Sequence, residues 1–499
     1  MHQKPNLVYI LADDMGYGDV SYLNPQSAFR TPNLDRLGRE GLCFTDAHAT
    51  SAVCTPSRYG ILTGMYNWRS PLKQGVLSGY SPALISPGTQ TVASMLRHQG
   101  YDTACIGKWH LGMDWQTTDG QPIQQRSGSL APGNVDYQAS IRRSPNTFGF
   151  DYFYGISASL DMPPYVYIEN DHVTQLPDHE DPGKANPPDG FAPDFHRPGP
   201  CAPDFRHEDV LPHLCEKAVE YITGQREKPF FLYFPLPAPH TPIVPTAPYI
   251  GCSATNLYGD FCVMCDGVVG KVMDALQSSG QAENTILIFA SDNGCSPQAD
   301  FSQLAQLGHF PSYHFRGYKA DIYEGGHRIP LLIRWPQMIA PGRSCDEVVC
   351  LCDLMATMAE ILDVPLAPDM GVDSVSNLPV WRGEAYQTPL REATVHQSID
   401  GSLSIRKGKY KLEMCPGSGG WSYPRPNRDD TSHLPSIQLY DLSEDLGEKH
   451  NLAEQLPEVV QQLKTLLVSY VRNGRSTPGP KQPNQGAEIW ESVKWLEQI

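Results

Sequence analysis

"NLVYILADD", residues Asn6 to Asp14, is a short apolar run that stops at two aspartates. A run of this length, closed by polar residues, reads as a strand buried on both faces. Four more segments have the same form: "DTACIG" (Asp102–Gly107), "FFLYFPL" (Phe230–Leu236), "TILIFAS" (Thr285–Ser291) and "PLLIRWP" (Pro330–Pro336). Helical periodicity fills the spaces between them, as in "TVASMLRHQG" and over Leu257–Leu276. Buried strands alternating with amphipathic helices predict an α/β fold: a large mixed, mostly parallel sheet sandwiched by helices. Residues 112–150 and 170–205 are polar, rich in Pro and Gly, and read as loop or insertion. From about Gly371 the texture changes. "GSLSIRKGKYKLEM" alternates like two strands turning at Lys407-Gly408, and "LPEVVQQLKTLLVSYV" is an amphipathic helix. We expect a main α/β domain over 1–370 and a smaller C-terminal α+β domain over 371–499.

The chain has 499 residues, 40% of them hydrophobic and 10% aromatic, enough to bury a sizeable core. Its net charge of −17 argues against nucleic acid and means that an anionic ligand needs local positive charge. No apolar run approaches the roughly 20 residues of a membrane span. The N-terminus enters a strand with no basic-then-apolar leader, so no signal peptide is visible. A cytoplasmic location is expected, or a periplasmic or secreted one if a leader has been trimmed away. The 13 cysteines are odd in number and scattered, as for reduced, buried thiols. Cys262 and Cys265 form a CxxC, but they fall within the periodic Leu257–Leu276 segment, and a helix face suits them better than zinc.

The polar residues just beyond the strands carry the chemistry. Asp13 and Asp14 follow the first run, Lys108 and His110 the second, His240 the third, and Asp292 and Asn293 the fourth. In an open α/β sheet, ligands bind beyond the carboxyl ends of the strands. Alone, a double aspartate reads as a helix cap, "SDNG" as a turn and His240 as a loop residue. Together, Asp13, Asp14, Asp292 and Asn293 offer oxygen ligands with no soft donor, as a calcium or magnesium site requires.

"SAVCTPSRYGILTG" (Ser51–Gly64) sets a thiol before a helix start, with Pro56 suited to the first turn. Cys54 then sits where backbone N–H groups favour an anion, and Arg58 lies about one turn along.

At these residues the sequence resembles the type I sulfatases of the alkaline phosphatase superfamily. The pattern C-x-P-S-R followed by L-T-G is read at Cys54, Pro56, Ser57, Arg58, Leu62, Thr63 and Gly64. "NLVYILADDMGYGD" (Asn6–Asp19), "GKWHLG" (Gly107–Gly112), "ASDNG" (Ala290–Gly294), "RGYKADIYEGGHRIP" (Arg316–Pro330) and "LYDLSEDLGEKHNLAE" (Leu439–Glu454) match in order, over nearly the whole chain. The resemblance implies that Cys54 is oxidised to formylglycine by a maturation enzyme, and that its hydrated gem-diol is the nucleophile. It implies Ca2+, with Mg2+ as the alternative, on Asp13, Asp14, Asp292, Asn293 and residue 54. Arg58 and Lys108 would hold the gem-diol. His110 would be the base for elimination. His240 and Lys319 would contact the sulfate, with His240 as acid to the leaving alcohol.

Further segments look most like bacterial carbohydrate sulfatases acting at single positions of galactose or N-acetylgalactosamine. Asp161, Arg316, Asp321 and His327 are candidates for sugar hydroxyls, with support of Lys319 as the other reading of Asp321 and His327. "GSGGWSYPRP" (Gly417–Pro426) could form a lip, with Trp421 and Tyr423 for stacking. An arylsulfatase or steroid sulfatase and a phosphate or phosphonate ester hydrolase of the same superfamily are the alternatives. A non-catalytic glycan-binding protein fits less well, because it needs no nucleophile.

Overall fold

A computed structural model of the protein describes residues 3–123, 132–187, 192–386, 389–426 and 428–498; parts of both expected insertions lie outside them. Among the described residues the main sheet has ten strands. Five neighbours are mutually parallel, in the order Thr285–Ser291, Asn6–Ala12, Phe230–Pro235, Asp102–Lys108 and Tyr152–Ile156. The apolar runs form these strands because both faces are covered: every residue of Phe230–Pro235 and of Thr285–Ser291 is buried. Beyond Thr285–Ser291 the sheet turns mixed. Leu331–Arg334 runs antiparallel to it and to Leu42–Phe44, which Arg343–Cys345 joins in parallel.

The helices pack in two groups. Pro32–Glu40, His207–Thr223 and Leu257–Ser278 form one; Cys54–Thr63, Val92–His98 and Leu354–Ile361 form the other. Cys262 and Cys265 lie fully buried in Leu257–Ser278, as free thiols on a helix.

The C-terminal part is a four-stranded antiparallel sheet, Thr394–Gln397, Leu403–Lys407, Tyr410–Glu413 and Gln438–Asp441. Lys407 pairs with Tyr410, and Gly408 takes φ +57 in the tight turn between them. Val395, Ile405, Leu412 and Leu439 pack against Leu463, Leu467 and Val471 of the helix Pro457–Asn473. Tyr66, Trp68, Cys350 and Cys352 join this second core, while Leu378, Val380 and Trp381 belong to the first. Tyr386 and Leu390 still pack against the first core and Ala393 belongs to the second, which is completed by side chains from the first 370 residues.

Candidate active site

Because the five parallel strands point the same way, their carboxyl ends form one rim. Asp13 and Asp14 leave Asn6–Ala12, and Asp292 and Asn293 leave Thr285–Ser291. Lys108 ends Asp102–Lys108 with His110 beyond it, and His240 follows Phe230–Pro235. Two of these residues turn the chain sharply in left-handed backbone, Asp14 at φ 68 and His110 at φ 55. Gly107 lets two strands meet here: at φ +136, a Cβ on it would lie 2.0 Å from the Pro235 carbonyl oxygen.

Three carboxylates meet three protein cations one to one. Lys108 Nζ donates to Asp13 Oδ2 at 2.6 Å, and Lys319 Nζ to Asp14 Oδ2 at 2.7 Å. Arg58 donates through Nε and Nη2 to Asp292 Oδ2 at 3.0 and 2.7 Å. All six are buried. The charges cancel, yet two oxygens stay unsatisfied: Asp13 Oδ1 and Asn293 Oδ1 are buried without a hydrogen-bond partner. Asn293 Nδ2 donates to Asp14 Oδ1 at 2.8 Å and to the Gly294 carbonyl at 2.9 Å, which leaves its own oxygen free. Burial first, and the charge of Asp13 second, push Asp292 up to about 7. Crowded carboxylates with orphaned oxygens are the donor set of a hard divalent cation. The Sγ of Cys54 lies within 4.8 Å of ligand atoms of Asp13, Asp14 and His240.

Cys54 opens the helix Cys54–Thr63. Its N-cap, Val53, offers no side-chain hydrogen bond, so first-turn N–H groups remain for a ligand. The thiol is 2% exposed, and burial pushes it up to about 12. A thiol held so high is a poor nucleophile at neutral pH, because the thiolate is the reactive form.

The two histidines are held in opposite tautomers. His110 Nε2 lies 2.8 Å from the Leu77 carbonyl, while Nδ1 is buried without a partner. Nε2 therefore carries the proton and Nδ1 the lone pair. Burial, then Lys108 and Arg58, hold the ring well below the ordinary imidazole range, so it is neutral. His240 Nδ1 lies 2.7 Å from the Thr241 carbonyl, and Nε2 lies 3.6 Å from Asp14 Oδ2. Its proton sits on Nδ1, and Nε2 faces the carboxylates. Burial and then Lys319 lower His240, against the pull of Asp14.

Of the residues expected to meet a sugar, only Asp161 stays at this rim. It pairs with Arg197, and its unpartnered Oδ1 lies 4.0 Å from His240 Nδ1. The other three make their contacts away from the rim, and Asp321 fits the alternative reading, support of the Lys319 turn. Arg316 donates to the Glu448 carbonyl at 2.7 Å and lies over the Tyr323 ring. His327 is fully buried between His48, His396 and Lys411. Asp321 accepts from the N–H groups of Tyr318, Trp421 and Ser422, at 3.0, 2.8 and 3.0 Å. It thus buckles the turn carrying Lys319 to the Gly417–Pro426 segment. Trp421 lies with its ring centroid 6.0 Å from Lys319 Nζ, and Tyr423 is 74% exposed.

Sequence reasoning missed Ser159, whose Oγ lies 3.1 Å from both Lys108 Nζ and His240 Nδ1. It stands just beyond the strand Tyr152–Ile156, so the rule that found the other residues would have found it had "YFYGI" been read as a strand.

The family model described as Sulfatase matches residues 5–364. An N-acetylgalactosamine-6-O-sulfatase of Bacteroides thetaiotaomicron is 35% identical, over 94% of this chain and 93% of its own. Human arylsulfatase A is 32% identical, over 97% and 92%. A solved B. thetaiotaomicron 6S-sulfatase, from work on the metabolism of multiple glycosaminoglycans, superposes with a TM-score of 0.79 at 33% identity, covering 94% of this chain and 99% of that one. With its rim of paired charges and buried cysteine, the chain belongs to the sulfatase family.

Proposed function

We propose that this protein hydrolyses the 6-O-sulfate of N-acetylgalactosamine or galactose residues, with residue 54 as nucleophile after oxidation to formylglycine by a maturation enzyme. The one-to-one pairing of Asp13, Asp14 and Asp292 with Lys108, Lys319 and Arg58 carries the reading. These charges sum to zero, so a divalent cation held by the three aspartates and the Asn293 amide oxygen leaves the site with two excess positive charges. That local field draws in a sulfate ester against the −17 of the whole chain. The cation, calcium or magnesium by the hardness of the ligands, would supply Lewis acidity towards a sulfate oxygen. The aldehyde at 54 supplies, as its hydrate, the hydroxyl that attacks sulfur, a role that the high thiol pKa makes unsuitable for unmodified Cys54.

The chain's own groups divide the remaining work. Lys108 and Lys319 bind the anionic oxygens at residue 54 and on sulfate. His240 presents Nε2 to the leaving oxygen, while Nδ1 is anchored on Thr241; protonated, it is the acid for the departing alkoxide. His110, neutral and with Nδ1 free, is a base whose proton acceptance needs no prior deprotonation. Asp161, held by Arg197, and the exposed Trp421 lip supply polar and stacking contacts to the sugar.

The 6-position and the sugar are read from relatives named N-acetylgalactosamine-6-O-sulfatase and N-acetylgalactosamine-6-sulfatase. The test is a panel of defined sulfated sugars with nitrophenyl sulfate and nitrophenyl phosphate as controls. N-acetylgalactosamine 6-sulfate should exceed its 4-sulfate isomer in kcat/KM by at least about tenfold, the discrimination expected from one well-placed polar contact. Preference for the 4-sulfate, or activity confined to aryl sulfates, would overturn the substrate.

A further inference from the structure

Apart from the rim, two clusters among the described residues have ligand chemistry with no assigned use: His48, His327 and His396, whose ring nitrogens already meet Lys411 and Arg406, and a second whose ring nitrogens meet no such cation. Asp181, His196 and His207 bring a carboxylate oxygen and two imidazole nitrogens within 4.8 Å of one another. They come from the strand His179–Asp181, the loop after it and the first turn of the helix His207–Thr223. We propose that these three side chains hold a divalent transition ion, zinc by preference, that staples the strand His179–Asp181 and the His196 segment to the start of that helix.

The hydrogen bonding requires a cation of some kind. His196 Nδ1 lies 3.0 Å from the Asp194 carbonyl, so the proton of the neutral ring belongs there. Nε2 then turns its lone pair on Asp181 Oδ1, 2.9 Å away, which is acceptor against acceptor. His207 repeats the pattern. One ring nitrogen is engaged by the Leu160 carbonyl, and Nε2 is buried with no partner at all.

A protonated His196 on Asp181 would satisfy that pair alone and leave His207 Nε2 orphaned. An ion at the centre satisfies all three. Two imidazoles pinned through their far nitrogens to backbone carbonyls are oriented as metal-binding histidines are, since that second bond fixes tautomer and ring plane. Two nitrogens and one carboxylate suit zinc far better than calcium, with a further position left to solvent.

The staple also touches the sulfatase rim. Arg197, next to His196, is the partner of Asp161, whose Oδ1 lies beside His240. Asp161 and Tyr165 hold the Arg197 backbone, through N–H to the Asp161 carbonyl and carbonyl to the Tyr165 hydroxyl. A filled site therefore fixes the loop that orients Asp161.

The test uses the whole protein, stripped by chelator, dialysed, and saturated with calcium so that the oxygen-ligand site is filled. Zinc is then titrated and bound zinc measured by atomic absorption. About one equivalent per chain should bind, and affinity should fall at least about tenfold in His207→Ala and in Asp181→Asn, as loss of one ligand of three predicts. Zinc should raise the melting temperature of the wild type and leave that of His207→Ala unmoved. Cobalt in place of zinc should give d–d bands without the thiolate charge-transfer band that cysteine ligation would produce. No zinc uptake by the wild type, a thiolate band, or equal uptake by wild type and both folded variants would overturn the site. Should either variant misfold, wild-type uptake and the cobalt spectrum decide alone.

Discussion

The Leu77 carbonyl holds the Nε2–H of His110 at 2.8 Å and so leaves the opposite nitrogen, Nδ1, as a buried lone pair. A loop carbonyl distant in sequence thereby sets which nitrogen can accept a proton. His110→Asn keeps a residue type tolerant of the left-handed backbone at 110 but removes the base. Turnover should fall about 10²–10⁴-fold on sugar sulfates and on nitrophenyl sulfate alike. Steady-state rates on the two substrates check this; a loss confined to sugar sulfates would mean that His110 acts on the leaving group instead.

His240 should behave in the opposite way. A sugar alkoxide needs a proton as the S–O bond breaks, and nitrophenolate hardly does. His240→Ala should cost about 10²–10⁴-fold on sugar sulfates and far less on nitrophenyl sulfate. Equal losses on both substrates would remove His240 from the acid role.

Arg58 is the partner of Asp292 and lies 3.5 Å from Asp13 Oδ1, all three fully buried. Arg58→Met removes the cation and leaves Asp292 buried without one, while Asp13 keeps Lys108. Breaking one partner of a buried ion pair costs about 3–5 kcal/mol, so metal-free Arg58→Met should melt well below wild type. Added calcium should restore part of the difference, because it supplies the missing positive charge to the same oxygens. Scanning calorimetry with and without calcium reads both effects; a variant as stable as wild type in chelator would show that the carboxylates are already neutral.

Asp321 joins the Lys319 turn to the lip carrying Trp421. Asp321→Ala frees three backbone N–H groups and should loosen the lip. KM for sugar sulfates should rise severalfold, while kcat/KM for nitrophenyl sulfate, which has no sugar to stack, should change little. Parallel loss on both substrates would mean that the turn, and with it Lys319, had moved.

Much of this site was legible in the sequence because strands buried on both faces are continuous apolar runs, and polar residues beyond them must sit at one rim. Asp13, Asp292, Lys108 and His240 were found that way. Ser159 escaped because "YFYGI" is short and mostly aromatic, without the aliphatic run that marked the others. The surroundings of Arg316 and His327 were hidden for a different reason. They lie in a segment full of site residues, but their partners, Glu448 and Lys411, come from the C-terminal sheet region more than 80 positions away, a pairing that no local pattern carries. The antiparallel direction of Leu331–Arg334 was equally unreadable, since an apolar run has no polarity of its own.

The chemistry at residue 54 is most directly tested on the tryptic peptide Glu40–Arg58, which contains Cys43 as well as Cys54. Active protein is denatured, alkylated, digested and weighed. Cys43 should carry the alkyl group and report complete labelling, while residue 54 should carry none and be lighter than cysteine by about 18 Da, the difference between thiol and aldehyde. Turnover across preparations should scale with the fraction of that peptide. A fully active preparation in which both cysteines are alkylated would contradict the formylglycine mechanism outright.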